Sequence, residues 1–175
     1  MQELTISVAE LLGRPGAVRD VRLTARLEGI ATALARVSAE PVALKLRVES
    51  VMEGILVTGR LEAGATAQCA RCLTNFPVDA GVEVCELFVA PGHEAGDDDV
   101  YKVGGTEIDL EPMVRDALML TLPFHPICRE ECKGICARCG ADLNAGECSC
   151  TEAEEDPRWA PLEALREQLE QRGTA

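Results

Sequence analysis

The sequence predicts an α+β fold: a curved antiparallel sheet with one docked helix, followed by a cysteine-rich module and a C-terminal helix. Three observations carry this expectation. Several stretches before Ala90 alternate apolar and polar residues, the period of half-buried strands. One stretch, near residues 110–121, repeats its apolar residues at helical spacing. Six of the nine cysteines crowd between Cys128 and Cys150, as C-x3-C-x3-C-x2-C-x8-C-x-C. The expected organisation is a sheet-plus-helix domain over 1–125, a cysteine module over 126–150, and an acidic linker with a helix over 151–175.

Residues 3–12 begin like a strand and end like a helical turn. Ser7 is placed to cap that turn, with Glu10 three residues on. Gly13-Arg-Pro-Gly16 breaks the chain. From Val18 to Gly29, Val21, Leu23, Ala25 and Leu27 alternate with Arg22, Thr24, Arg26 and Glu28, a half-buried strand. Ile30–Ser38 has no clear period. Val42–Val51 places Val42, Leu44, Leu46 and Val48 on one face, and Gly54–Glu62 reads as its antiparallel neighbour across a tight turn. A short strand, Ala65–Gln68, delivers an isolated pair, Cys69 and Cys72. Phe76–Val89 alternates again, but its parity changes between Val84 and Leu87, so one bulge is expected there. Cys85 in this strand reads as a small buried hydrophobe.

Pro91–Asp99 has loop composition. Val100–Val103 and Thr106–Ile108 are expected to form a hairpin over Gly104-Gly105. Leu110, Met113, Val114, Ala117, Leu118 and Thr121 form one helical stripe. Asp109 is the expected N-cap, Pro112 fits the first turn, and Pro123 ends the helix. Ala160–Gln171 is expected to form the last helix, with a narrow stripe of Leu162, Leu165 and Leu169.

Aromatic residues are scarce, at one Trp, one Tyr and three Phe, so the core must be built from Val, Leu, Ile and Ala. No apolar run reaches the 18 residues a membrane helix needs, and the N-terminus shows no export signal, so no membrane association is expected. A disulfide framework is then disfavoured, and clustered cysteines point to metal. Net charge is −13 and uneven: residues 1–75 carry 9 Lys/Arg against 8 Asp/Glu, and residues 76–175 carry 8 against 22. Such a field disfavours non-specific nucleic-acid binding and favours basic protein partners.

Eight cysteines outside the strand make two sets of four. Thiolates are soft ligands, and four of them satisfy tetrahedral Zn²⁺. The preferred partition joins Cys136, Cys139, Cys148 and Cys150 in one local loop, and Cys69 and Cys72 to Cys128 and Cys132 in the other. The rival is a single zinc among Cys132, Cys136, Cys139 and one of the last pair. Catalytic zinc keeps an open position and usually His or carboxylate ligands; here only His93 and His125 exist. No H-E-x-x-H, G-x-S-x-G or Gly-rich phosphate loop occurs, so no catalytic residue or small-molecule substrate is assigned. A redox role for Cys69 and Cys72 lacks the following helix that lowers thiol pKa in thioredoxin-type pairs.

Several motifs, in order, resemble one family. They are Cys69-x-Arg-Cys72-Leu, Ile108-Asp-Leu-Glu111, Leu120-x-Leu-Pro123, Cys128-x3-Cys132-Lys-Gly-Ile-Cys136-x2-Cys139-Gly-x-Asp-Leu-Asn144 and Asp156-Pro-Arg158. From about Leu44 to Leu165 the chain is similar to the YceD family, bacterial and plastid proteins described as large ribosomal RNA subunit accumulation proteins. The resemblance implies a cytoplasmic, non-enzymatic factor in ribosome biogenesis. Family genes commonly neighbour that of a small large-subunit ribosomal protein. Some members lack most of the later cysteines, so the second loop is dispensable to the shared role. The first 40 residues match only loosely. The expected partner is large-subunit ribosomal RNA or a basic ribosomal protein. Arg71, Arg129, Lys133 and Arg138, near the expected metals, are the candidates for RNA contact. A zinc-ribbon-like adaptor in transcription and a thiol redox protein are the alternatives.

Overall fold

The computed structural model describes residues 4–92 and 100–150, together with Leu162. The chain divides into two compact units, Met1–Gly134 and Ile135–Ala175. In chain order the first contains β1 (Thr5–Ser7), β2 (Val18–Ala25), β3 (Ala35–Val37), β4 (Val42–Ser50), β5 (Gly54–Glu62), β6 (Gly64–Gln68), β7 (Asn75–Asp79), β8 (Val82–Val89), β9 (Glu107–Asp109) and α1 (Glu111–Thr121).

The expected single sheet is three antiparallel sheets. Strands β2-β4-β5-β8 form one, β3-β6-β7 a second, and β1 pairs with β9. The alternation of β4 is matched residue by residue: Val42, Leu44, Leu46 and Val48 are buried, with Lys45 and Arg47 exposed between them. One core joins elements of all three sheets to the helix, and its large members are aliphatic except for Phe88. Phe88 stacks on Tyr101, whose hydroxyl donates to Asp116 at 2.8 Å.

Several local expectations change. The Phe76–Val89 stretch is broken at Ala80-Gly81, where the Gly81 N–H bonds the Asp79 carboxylate, and its halves enter different sheets. The β5–β8 register runs unbroken from Gly54↔Val89 to Leu61↔Val82, so no bulge occurs. Phe88 rather than Leu87 takes the core position, which restores parity with Val84. Cys85 therefore points away from the core and is exposed, opposite Thr58. Ser7 caps no helix: its hydroxyl lies 3.5 Å from the Thr106 carbonyl, and β1 is held by pairing with β9.

Between Gly104 and Glu107 only a single bridge forms, because β9 pairs with β1 instead of closing the expected hairpin. Helix α1 has Leu110 at its N-cap, one residue beyond the expected Asp109. Asp109 still accepts an N–H bond, from Glu111 at 2.9 Å. The stripe buries Leu110, Met113, Val114 and Leu118. Leu122 is extended before Pro123, as the proline ring demands. The expected C-terminal helix and the loop bearing His93 lie outside the described residues, apart from helical Leu162. Among the described residues no helix is long and apolar enough to cross a membrane.

Candidate metal centres

Two tetrads of cysteines form, one in each unit. Cys69, Cys72, Cys128 and Cys132 gather in the first, and Cys136, Cys139, Cys148 and Cys150 in the second, with the sulfurs of each set within 4.8 Å of one another. These are the two sets that the preferred partition separates. None of the nine cysteines is disulfide-bonded.

The first tetrad is built on a hairpin. Strands β6 and β7 pair up to Gln68↔Asn75, so residues 69–74 are the loop that closes them. That loop is tied by the Leu73 N–H to the Cys69 carbonyl and the Cys69 N–H to the Thr74 carbonyl, both 2.9 Å. The segment after Pro123 is anchored to it, because the Ala70 N–H donates to the Pro126 carbonyl at 2.8 Å. Arg71 completes the junction: its Nη1 donates to the carbonyls of Glu130 at 3.1 Å and Cys132 at 3.0 Å. Cys69 and Cys132 are buried, Cys72 and Cys128 half-buried.

Sulfur geometry tests the fit to a metal. Four ligands at about 2.3 Å from zinc define a tetrahedron whose edges are about 3.8 Å. The Cys69–Cys132 and Cys72–Cys128 sulfurs are 3.9 and 3.7 Å apart. A disulfide would need about 2.05 Å. The donor set is all thiol and closed, so it fits a four-coordinate structural ion with no position left for substrate.

Backbone N–H groups converge on sulfur as well. Those of Cys72 and Cys128 hold the Cys69 thiol down to about 6. The Thr74 hydroxyl and N–H lower Cys72. Burial, then the neighbouring thiols, push Cys128 up to about 12. The second tetrad repeats the pattern. N–H groups of Cys139 and Arg138 lower Cys136 to about 6, and the Cys139 sulfur, then burial, raise Cys150 to about 12. Each tetrad thus holds a stabilised thiolate beside a thiol that keeps its proton until a cation replaces it.

The two knuckles share a turn with different residues. In the second, the Gly140 N–H returns to the Cys136 carbonyl at 2.9 Å, with φ +73° at Gly140. In the first, Leu73 occupies the corresponding place at φ +61° and is half exposed. Glycine adopts this region freely; a leucine pays about 1–2 kcal/mol. Gly134, at φ +76°, is needed for space too: a Cβ there would sit 3.0 Å from the Arg71 carbonyl.

Arg71, Arg129 and Lys133 are exposed on the first unit, and Arg138 is exposed on the second. The structure brings Arg71 against residues 130–132; Arg138 belongs to the other compact unit. His125 is exposed and outside both tetrads. Sequence reasoning did not single out Thr74 or the Pro126 carbonyl. A hydroxyl residue two places after the second cysteine of a C-x-x-C pair was the available signal for Thr74.

Comparison with known proteins places the chain. The profile of the family described as "Large ribosomal RNA subunit accumulation protein YceD" matches residues 57–166. An uncharacterized protein of Mycobacterium tuberculosis is 40% identical over 171 residues, covering 91% of this chain and 79% of that protein. An uncharacterized protein of Bacillus subtilis is 28% identical over 130 residues, 73% of this chain and 76% of its own. A chloroplastic protein of Arabidopsis thaliana, named large ribosomal RNA subunit accumulation protein YCED homolog 1, is 42% identical over 66 residues, 38% of this chain and 21% of its own. No solved structure gives a significant match. With the profile spanning more than half of it, the chain belongs to the YceD family.

Proposed function

We propose that this protein is a cytoplasmic, non-enzymatic factor that supports the accumulation of large-subunit ribosomal RNA by binding that RNA, with two structural zinc ions. The carrying observation is the closed, all-cysteine first tetrad, which joins the β6–β7 hairpin to residues 126–132. A structural zinc contributes about 10–16 kcal/mol of binding energy coupled to folding, so it fixes the surface around it. On that surface stand Arg71, Arg129 and Lys133, with Arg138 on the second knuckle. Arg71 commits Nη1 to two carbonyls, which fixes the rest of its guanidinium in the direction of solvent. Cations held in place cost less entropy to dock on phosphate than mobile ones. The family name supports the ribosomal reading.

The test is salt-dependent binding to an in vitro transcript of large-subunit ribosomal RNA. Replacing Arg71, Arg129, Lys133 and Arg138 together by Ala is expected to lower the slope of log affinity against log salt by roughly 3, from about 0.7–0.9 per lost phosphate contact. An unchanged slope removes these four residues from the interface. The charge of residues 76–175, 8 Lys/Arg against 22 Asp/Glu, favours a second reading, a basic ribosomal protein as partner. Failure to bind RNA together with saturable binding to such a protein would establish it.

A further inference from the structure

The outer face of the β3-β6-β7 sheet carries a concavity of about 360 Å³, lined by Thr32, Ala33, Leu34, Ala35, Arg36, Thr66, Gln68 and Asn75. It is at the small end of ligand cavities. Backbone pairing builds it. Arg36 lies directly opposite Thr66, and Gln68 opposite Asn75, so all four side chains emerge from one face. The wall at residues 32–35 is fixed by the Gln68 N–H donating to the Leu34 carbonyl at 2.7 Å, and by the Ala35 N–H donating to the Thr32 hydroxyl at 3.1 Å.

Its chemistry departs from the rest of the molecule. The chain has 30 carboxylate residues against 17 Lys/Arg, yet none of the lining residues is Asp or Glu. Five polar side chains line it, one guanidinium, two hydroxyls and two carboxamides, and of these the Thr32 hydroxyl is already taken by the Ala35 N–H. Among the described residues, Arg36, Thr66, Gln68 and Asn75 make no side-chain hydrogen bond or ion pair. On the four-stranded sheet, by contrast, Lys45 and Arg60 are paired with Glu62 and Glu83. An unpaired guanidinium matches a phosphate bidentately. Neighbouring carboxamides each offer a donor and an acceptor in one plane, the pattern that reads a base edge. A basic protein would be repelled by Arg36 and would find no carboxylate here.

We propose that this concavity binds a nucleotide of single-stranded RNA, Arg36 holding a backbone phosphate while Gln68 and Asn75 take the edge of the adjoining base. A single strand is required because base edges in an RNA duplex are out of reach in its deep, narrow major groove. Thr66, between the two, faces the sugar. The site also adjoins the first metal centre: Gln68 immediately precedes Cys69, and Asn75 follows the loop that the metal closes. The inference rests on the RNA-binding reading above and gives it a location other than the four cations named there.

The experiment is fluorescence anisotropy with labelled single-stranded 12-mers of A, C and U and with a duplex 12-mer, using the full zinc-loaded chain. Variants are Arg36→Ala, the double Gln68→Ala/Asn75→Ala, and Arg22→Ala on the four-stranded sheet as control. All four substituted residues lie on strand surfaces, and zinc stoichiometry reports that the fold is intact. Arg36→Ala is expected to weaken every single strand alike and to lower the salt slope by about 0.7. The double variant is expected to collapse the ratio between the tightest and weakest homopolymer by at least about fivefold, with the salt slope unchanged. Wild-type binding that neither variant alters, or that prefers the duplex, overturns the pocket and leaves RNA binding standing. No binding of any RNA by the wild type overturns both.

Discussion

Replacing Cys69 and Cys72 by Ser opens the longest covalent detour that the metal closes. Cys72 and Cys128 are 56 positions apart, and Cys69 and Cys132 are 63 apart. A cross-link over a loop of that size removes unfolded-state entropy worth about 4 kcal/mol at 25 °C. The unit it belongs to spans Met1–Gly134. At about 2.1 cal/mol/K of unfolding entropy per residue, that loss alone lowers its Tm by about 15 °C, a floor, because the zinc's own binding energy coupled to folding is lost with it. Native mass spectrometry is expected to show zinc falling from two per chain to one, and calorimetry the drop in Tm. Hydrogen exchange adds a local marker, since the Ala70 amide bonded to the Pro126 carbonyl should lose protection. The matched variant, Cys136→Ser/Cys139→Ser, should also bind one zinc but leave the Tm of the first unit in place, because its loop lies wholly within the second unit. If the Cys69/Cys72 variant keeps two zincs, or unfolds at the wild-type temperature, the cross-linking account is wrong.

Three further outcomes are expected. Gly134→Ala places a Cβ against the Arg71 carbonyl in left-handed backbone, costing about 1–2 kcal/mol, so chelator competition should show roughly tenfold weaker metal binding at the first site alone. Metal affinity at both sites should fall at least tenfold per unit of acidification between pH 8 and 6, because Cys128 and Cys150, pushed up to about 12, must give up protons to bind. Below pH 6 the fall should steepen, as Cys69 and Cys136, held near 6, become protonated too; a flat profile would show that some thiols are not ligands. Leu118→Ala, at a fully buried helix position, should destabilise the first unit by about 3–5 kcal/mol in calorimetry while two zincs remain bound at 25 °C.

What the sequence revealed depends on how local the cause is. Val42–Ser50 was legible because it alternates, and Gly54–Glu62 because it follows across a tight turn. The α1 stripe was legible from its helical spacing. Three sheets in place of one were not, since the pairing of Thr5–Ser7 with Glu107–Asp109 joins segments about a hundred residues apart and leaves no periodic trace. Cys85 was misplaced because Leu87 and Phe88 are both apolar, and only the continuous register with β5 decides which turns inward. At the metal centres, spacing and the need for four ligands grouped the cysteines. The nucleotide-sized concavity was hidden: Thr32–Arg36 is short and without period, and its wall exists only once β3 docks on β6.

The contrast between the two tetrads separates how each would acquire an ion. The second set spans Cys136–Cys150 and can take up its ion by a short-range search, as soon as those residues emerge. The first must wait for β6, β7 and the end of α1 to meet, because half its ligands lie on each side of that long excursion. Occupancy of the first centre therefore certifies a finished tertiary structure, whereas occupancy of the second certifies only translation.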